Sequence, residues 1–248
     1  MSTLICFDCD GVLVDSEPLA AQAAADLLSE LGINMSWQEA NALFTGKTAE
    51  AAHQTVRDTY GVNLPASYQS NFEDLVLRRF QNRLQPVDGI AGVLEALDVP
   101  TCVTSNSSHR RVALSLGVTG LLRHFDTRVF SAEDVDHGKP APDLFFHAAR
   151  VLGADIGKAI VIDDSVTGIT GAVAAGAQAI GFTAAGHIQP GHAERLRAAG
   201  AIVIGKLATY EWGTVGPDKG GLFPPARNPW NLDYITGGSS SGCAVAVA

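Results

Sequence analysis

Apolar residues in this chain follow two rhythms. Short apolar or β-branched runs occur at Leu4-Ile5-Cys6-Phe7, Pro100-Thr101-Cys102-Val103-Thr104, Thr127-Arg128-Val129-Phe130, Ala159-Ile160-Val161-Ile162, residues 178–182 and residues 201–204. Each has the length of a strand and is bounded by Gly, Pro, Asp or Ser. Longer stretches with helical spacing lie between them: residues 109–116, residues 144–152 with Gly153 just past the end, a Gly/Ala-rich stretch over 166–175, and residues 193–199. Strands alternating with helices of this length predict a parallel sheet covered on both faces.

The alternation is interrupted once. Glu17-Pro18 opens an Ala-rich helix through Leu27, Leu28 and Leu31 that stops at Gly32. Ser36-Trp37-Gln38-Glu39 has the form of a capping box for a second helix. A third starts at Thr48 and ends near Gly61, and a fourth starts at Pro65 and runs through Leu75, Leu77 and Phe80. Nothing from 17 to 84 reads as a strand. The expected architecture is therefore α/β: a doubly wound parallel-sheet, Rossmann-like core made of residues 1–16 and 85–208, with residues 17–84 inserted as an α-helical cap. Beyond about Gly205 the rhythm stops. Residues 209–248 form a Gly/Pro/Ser-rich tail that is expected to be poorly ordered.

Composition narrows the function. A chain of 248 residues with 46% apolar content can bury a full core. Its formal net charge of -9 disfavours a nucleic-acid backbone as partner, while an anionic small molecule needs only local positive charge. No apolar run is long enough to span a bilayer, and Met1-Ser2-Thr3 leads straight into the first strand without a basic leader. These features predict a cytoplasmic protein without a membrane partner, and the intact helical insert favours a monomer or loose dimer. Cys6 and Cys9 form a C-x-x-C. A redox pair belongs at a helix start and a structural zinc site needs a second ligand pair, so both cysteines read as small buried side chains.

Four polar clusters fall just past strands. The first strand runs directly into Asp8 and Asp10, followed by Gly11. Unpaired buried charge is costly, so two acids at a buried strand's end call for a cation. Hard oxygen donors there suit Mg2+, at the edge where open α/β sheets bind ligands. A carboxylate beside such an ion can attack phosphorus and carry an aspartyl-phosphate. Thr104-Ser105-Asn106-Ser107 follows the second strand, where a hydroxyl and backbone N–H groups at a helix start can cradle a phosphate. Gly138-Lys139-Pro140 supplies a lysine to offset anionic charge. Asp163-Asp164-Ser165 adds carboxylates that can complete a metal site. Singly, the acids and Ser105 could be helix caps or turn residues, and Lys139 a solvated lysine. Four such clusters in succession are hard to obtain from caps alone.

These motifs resemble the haloacid dehalogenase-like hydrolases. The residues that carry the resemblance are Asp8-x-Asp10-Gly11-Val12, Ser105 at its strand end, Lys139-Pro140-Ala141-Pro142-Asp143, and Asp163-Asp164-Ser165-x-x-Gly168. The insert looks like the helical cap of the β-phosphoglucomutase-like branch. Phe7-Asp8-Cys9-Asp10, Val103-Thr104-Ser105-Asn106 and Phe145-Phe146-His147-Ala148-Ala149 look like 6-phosphogluconate and sugar-phosphate phosphatases. The resemblance implies a catalytic set of Asp8, Asp10, Ser105 and Lys139. Asp8 would be nucleophile and Mg2+ ligand. Asp10 would be the proton donor and then base, with its carbonyl on the metal. Ser105 and the Asn106 backbone would hold the phosphoryl group, and Lys139 would balance its charge. Asp164 would be a Mg2+ ligand, with Asp163 in the inner or outer shell.

The cap is expected to choose the substrate. Phe44-Thr45-Gly46-Lys47-Thr48 matches the family's specificity loop, and the phosphohexose mutases carry an arginine where this chain has Ala49, which disfavours the mutase reading. Gly46 and Lys47 are the candidates to meet the substrate's remote end, although a loop lysine can also be merely solvated. Arg79 and Arg83 are either substrate contacts or a solvated helix face. His109 and Arg110 either rim the site or cap a helix. The expected reaction is Mg2+-dependent hydrolysis of a small phosphorylated sugar or sugar acid. The alternatives are a phosphohexose mutase, or a non-catalytic protein on the same fold. In the tail, Asn228-Pro229-Trp230-Asn231-Leu232-Asp233 and Gly237-Gly238-Ser239-Ser240-Ser241-Gly242 look like part of the amidase signature. Ser239 falls at that family's intermediate serine, but no matching upstream lysine is found, so amidase activity is not expected.

Overall fold

In the computed structural model, which describes residues 3–44, 49–183, 188 and 191–203, six strands lie side by side. They are β1 (Ile5–Phe7), β2 (Thr101–Ser105), β3 (Val129–Ser131), β4 (Ile160–Asp163), β5 (Gln178–Gly181) and β6 (Ile202–Val203). All pairings are parallel, in the order β3-β2-β1-β4-β5-β6. This is the doubly wound α/β architecture. It explains why the strands read as continuous apolar runs: helices cover both faces, so both sets of alternating side chains are buried. Ile5 and Phe7 of β1 pack into one core cluster, and Leu4 and Cys6 into the other. Helices α5 (Ile90–Ala96) and α6 (His109–Val118) contribute Ile90, Leu94, Val112 and Leu116 to the first. Helices α7 (Asp143–Leu152), α8 (Val166–Ala174) and α9 (His192–Ala198) contribute Phe145, Ile169 and Leu196 to the second. Cys6, Cys9 and Cys102 are free and buried in these clusters, so the C-x-x-C is packing.

Between β1 and α5 the described elements are all helical: α1 (Glu17–Glu30), α2 (Trp37–Phe44), α3 (Ala49–Tyr60) and α4 (Tyr68–Arg83). The segments entering and leaving this insert are tied together. The Asp15 N–H donates to the Gln85 carbonyl at 3.0 Å and the Val87 N–H to the Leu13 carbonyl at 3.0 Å, around an antiparallel bridge between Val14 and Pro86. The capping box forms: the Ser36 N–H donates to Glu39 at 2.7 Å, and the Glu39 N–H to the Ser36 hydroxyl at 3.2 Å. Arg79 and Arg83 join α4 to α1 inside the insert. Arg79 pairs with Asp26, and the Arg83 guanidinium lies 3.4 Å from the Gln22 side-chain oxygen.

Helix α5 was not among the predicted helices. Its seven residues bury only Ile90 and Leu94, too few to set up a period, and it follows Gly89 in a left-handed conformation. The predicted tail, residues 209–248, lies outside the described residues. Gly46 and Lys47 also lie outside them. Among the described residues, no helix is long and apolar enough to cross a membrane.

Candidate active site

The sheet order places β1 between β2 and β4, where the winding reverses, the place at which open α/β sheets bind ligands at the carboxyl ends of their strands. Phe7 is in register with Val103 on one side and Ile162 on the other. One residue further on, Asp8 therefore emerges level with the ends of both neighbours, and its N–H donates to the Ile162 carbonyl at 2.9 Å. The chain then turns sharply. Gly11 takes a φ of 81°, which side-chain-bearing residues rarely adopt, and its N–H donates to the Val14 carbonyl at 2.9 Å.

Asp8, Asp163 and Asp164 are buried and each offers a carboxylate oxygen within 4.8 Å of the others. Lys139 reaches into this group. Its Nζ lies 2.7 Å from Asp8 Oδ1 and 2.7 Å from Asp163 Oδ2. The lysine side chain is 3% exposed, which makes it a buried counter-ion rather than a solvated lysine. Burial alone would lower its pKa, but the charges of Asp163 and Asp8 hold it above its ordinary value, so it stays charged. Asp8 is pushed the other way. Burial raises its pKa, Lys139 pulls it down, and the neighbouring charges of Asp163 and Asp164 raise it again. Hard oxygen donors grouped in this way could hold a divalent cation.

The supports of Lys139 are themselves built in. The Asn106 side chain brackets it, donating to the Lys139 carbonyl at 2.9 Å and accepting from the Lys139 N–H at 2.8 Å. A Cβ at Gly138 would lie 2.8 Å from Asn106 Oδ1 and 2.9 Å from Ala132 Cβ, so glycine is needed for this approach. Asp163 uses its second oxygen to accept from the Ser165 N–H at 2.9 Å and the Ser165 hydroxyl at 2.7 Å. Ser165 also caps α8 by accepting from the Gly168 N–H at 2.9 Å. Gly168 leaves room for Asp163, because a Cβ there would fall inside the carboxylate. Gly168→Ala would ordinarily stabilise a helix by about 1 kcal/mol. Here the collision wins, and we expect a net loss of about 1–3 kcal/mol, read by thermal unfolding. An unchanged or raised melting temperature would mean that Asp163 has another place to go.

Asp164 is steadied from the far end of the core. His192 in α9 lies with Nε2 2.5 Å from the Asp164 carbonyl oxygen, and Arg195 Nη2 is 3.0 Å from His192 Nδ1. A carbonyl can only accept and a guanidinium can only donate, so Nε2 carries the proton and Nδ1 accepts.

Asp10 stands apart from that cluster. Ser107 donates its hydroxyl proton to Asp10 Oδ2 at 2.6 Å, and Arg111 Nη2 lies 3.1 Å from Oδ1. Burial would raise the pKa of Asp10, but the charge of Arg111 and these hydrogen bonds hold it below the ordinary value. The Ser105 hydroxyl is buried and accepts from the Ser107 N–H at 3.1 Å. The ring of His109 is paired with Asp134 at 2.8 Å, and its N–H donates to Glu133 at 2.8 Å, so it faces the turn after β3. Arg110 is 4.0 Å from Asp74. Ser107 and Ser165 stand in two of the polar clusters read from the sequence without a role of their own there, and Arg111 and His192 lie outside those clusters.

The sequence model of the haloacid dehalogenase-like hydrolases matches residues 3–176. The chain belongs to that family. It is 32% identical over 185 residues to a 6-phosphogluconate phosphatase of Escherichia coli (strain K12), covering 74% of this chain and 84% of that protein. Among solved structures it is similar to a conserved haloacid dehalogenase-like protein of unknown function from Agrobacterium tumefaciens str. C58. That likeness has 41% identity and a TM-score of 0.76, and covers 82% of this chain and 92% of the other. A haloacid dehalogenase family hydrolase from Deinococcus radiodurans R1, solved with bound phosphate and sodium, is 32% identical with a TM-score of 0.71, covering 82% and 90%. A second model, that of the amidases, matches residues 185–248. Its described part includes β6, which pairs with β5, and α9, which supplies His192.

Proposed function

We propose that this hydrolase is a Mg2+-dependent phosphatase for a small phosphorylated sugar or sugar acid, acting through an aspartyl-phosphate on Asp8. The observation that carries the reading is the buried Asp8, with Lys139 on one oxygen and two further carboxylates beside it. The oxygen donors fit a hard divalent ion: the Asp8 and Asp164 carboxylates and the Asp10 main-chain carbonyl would hold it. Asp163 is committed to Lys139 and Ser165 and supports the site from behind. When bound, Mg2+ supplies charge neutralisation for the phosphoryl group and the attacking carboxylate.

In this reading Asp10, ionised in the free protein, takes up a proton when the anionic phosphate binds beside it; an Asp8 carboxylate oxygen then attacks phosphorus while the ester P–O bond breaks, and the leaving oxygen takes that proton from the Asp10 carboxyl. Water then attacks the phosphorus of the aspartyl-phosphate. Asp10 accepts a proton from that water, and the P–O bond to Asp8 breaks to return its carboxylate. Ser105 and the Asn106 backbone hold the phosphoryl oxygens, and Lys139 spreads their charge. Gly46 and Lys47 are the proposed contacts to the rest of the substrate, with the cap setting selectivity, whereas His109, paired with Asp134, is not retained as one. The likeness to a 6-phosphogluconate phosphatase points to an anionic sugar acid, and a cytoplasmic setting suits such a metabolite.

The test is a hydrolysis panel with Mg2+ and with chelator: 6-phosphogluconate, hexose 6-phosphates, phosphoglycolate and p-nitrophenyl phosphate. We expect turnover only with Mg2+, and a higher kcat/KM for a sugar or sugar-acid phosphate than for the aryl ester. Full activity in chelator, or no release of phosphate from any member, would overturn the proposal.

A further inference from the structure

The ladder between β4 and β5 runs out just before Asp164. Asp163 is in register with Gly181, and its carbonyl accepts from the Phe182 N–H at 2.9 Å. The next carbonyl, that of Asp164, stands past this bond, in a residue that is only 7% exposed. A buried carbonyl needs a donor. His192, the first residue of α9, supplies it, with Nε2 2.5 Å from the Asp164 oxygen. The imidazole is itself buried, and Arg195 Nη2, 3.0 Å from Nδ1, keeps the proton on Nε2. Helix α9 is a firm base for this contact. Leu196 is fully buried in the core, and a Cβ at Gly181 would lie 3.0 Å from Leu196 Cδ1, so β5 and α9 meet without slack. Lys139 and Ser165 hold Asp163 by its side chain. His192 holds Asp164 by its main chain, without using the carboxylate that joins the group with Asp8 and Asp163.

We propose that His192 is a positioning residue for Asp164: by gripping its carbonyl, it sets the loop between β4 and α8 so that the Asp164 carboxylate is presented to a divalent cation beside Asp8. The inference rests on the phosphatase reading, in which those two carboxylates hold Mg2+. His192 touches neither the ion nor the substrate and acts through Asp164 alone. Groups that orient a metal ligand from behind change metal affinity by about 10- to 100-fold when removed. A positioning role differs from mere packing in what it asks of residue 192. Packing asks for volume. Positioning asks for an N–H at the place of Nε2. The side-chain nitrogen of glutamine falls near Nε2 and can donate to the same carbonyl. That of asparagine falls near Nδ1 and stops short of it.

The experiment titrates the protein with Mn2+, which shares the oxygen preference of Mg2+, and follows free Mn2+ by electron paramagnetic resonance, so that no turnover is needed. Binding at this site is the part that Asp164→Ala removes. We expect His192→Leu, which keeps an apolar body but has no donor, to weaken that binding by about tenfold or more. His192→Gln should recover most of the affinity, and His192→Asn should resemble His192→Leu. On a sugar phosphate, the Mg2+ concentration for half-maximal rate should rise in the same order, while kcat at saturating Mg2+ stays near the wild-type value. Thermal unfolding in chelator checks that each variant is folded. Should His192→Leu fail to fold, the comparison of His192→Gln with His192→Asn carries the test. Equal Mn2+ affinity in wild type and His192→Leu, or a His192→Gln variant no better than His192→Asn, would overturn the inference while leaving the phosphatase reading intact. A wild-type protein from which Asp164→Ala removes no Mn2+ binding would instead end the metal reading of the site, and the inference with it.

Discussion

Asp8→Asn is expected to abolish turnover and to leave the fold at least as stable as before. Asparagine has the same shape, and its amide oxygen can still accept from Lys139. It cannot form an acyl phosphate, so the expected loss is on the order of 10^3-fold or more. The stability effect has a definite sign. Burial and the charges of Asp163 and Asp164 raise the pKa of Asp8 in the folded protein. A carboxyl with a raised folded pKa binds its proton more tightly folded than unfolded, so ionising it at neutral pH opposes folding. The neutral amide removes that cost. Thermal unfolding in chelator at pH 7 should show an unchanged or higher melting temperature beside lost activity. A folded Asp8→Asn protein with near-normal rates would end the covalent reading.

Lys139→Met should also abolish activity, but with the opposite effect on stability. It leaves Asp8 and Asp163 buried without the cation that lies 2.7 Å from each. Removing one partner of a buried ion pair costs about 3–5 kcal/mol. The deficit should shrink as pH falls, because without Lys139 nothing offsets the groups that raise the Asp8 pKa, and the folded protein gains by taking up protons. The loss of rate should be similar for sugar and aryl phosphates, since Lys139 serves the shared phosphoryl group. Urea titrations at neutral and mildly acidic pH, with rates on both esters, check this. Unchanged stability at pH 7 would mean that the two carboxylates already share a proton and need no lysine.

The core of the site was legible in the sequence because its signals are local. Ser105 and Asp163 each end a strand and Asp8 directly follows one, and the parallel order then brings those ends together. What stayed hidden depends on contacts that only the fold creates. Arg111 is 101 residues from Asp10, and His192 is 28 residues from the carbonyl it holds. One local clue to Arg111 existed: a cation in the first turn of a helix runs against the helix dipole and asks for a nearby anion. Arg79 and Arg83 were ambiguous for a related reason. A charged stripe on α4 is the same in sequence whether it faces water, substrate or α1, and the described contacts are with α1. Asn106 was expected to serve through its backbone, and nothing in its neighbours foretold that its side chain would bracket the Lys139 peptide.

The central claim is that the phosphoryl group passes through Asp8. The most direct measurement is to mix enzyme, Mg2+ and an excess of a turned-over sugar phosphate, quench in acid within the first turnovers, and locate phosphate on the digested protein by mass spectrometry. The account predicts a transient phosphorylated peptide containing Asp8, lost after treatment with hydroxylamine and absent from Asp8→Asn. Phosphate found on another residue would contradict it. So would rapid hydrolysis with no phosphorylated Asp8 peptide at any time point, although an acyl-phosphate standard survives the same quench.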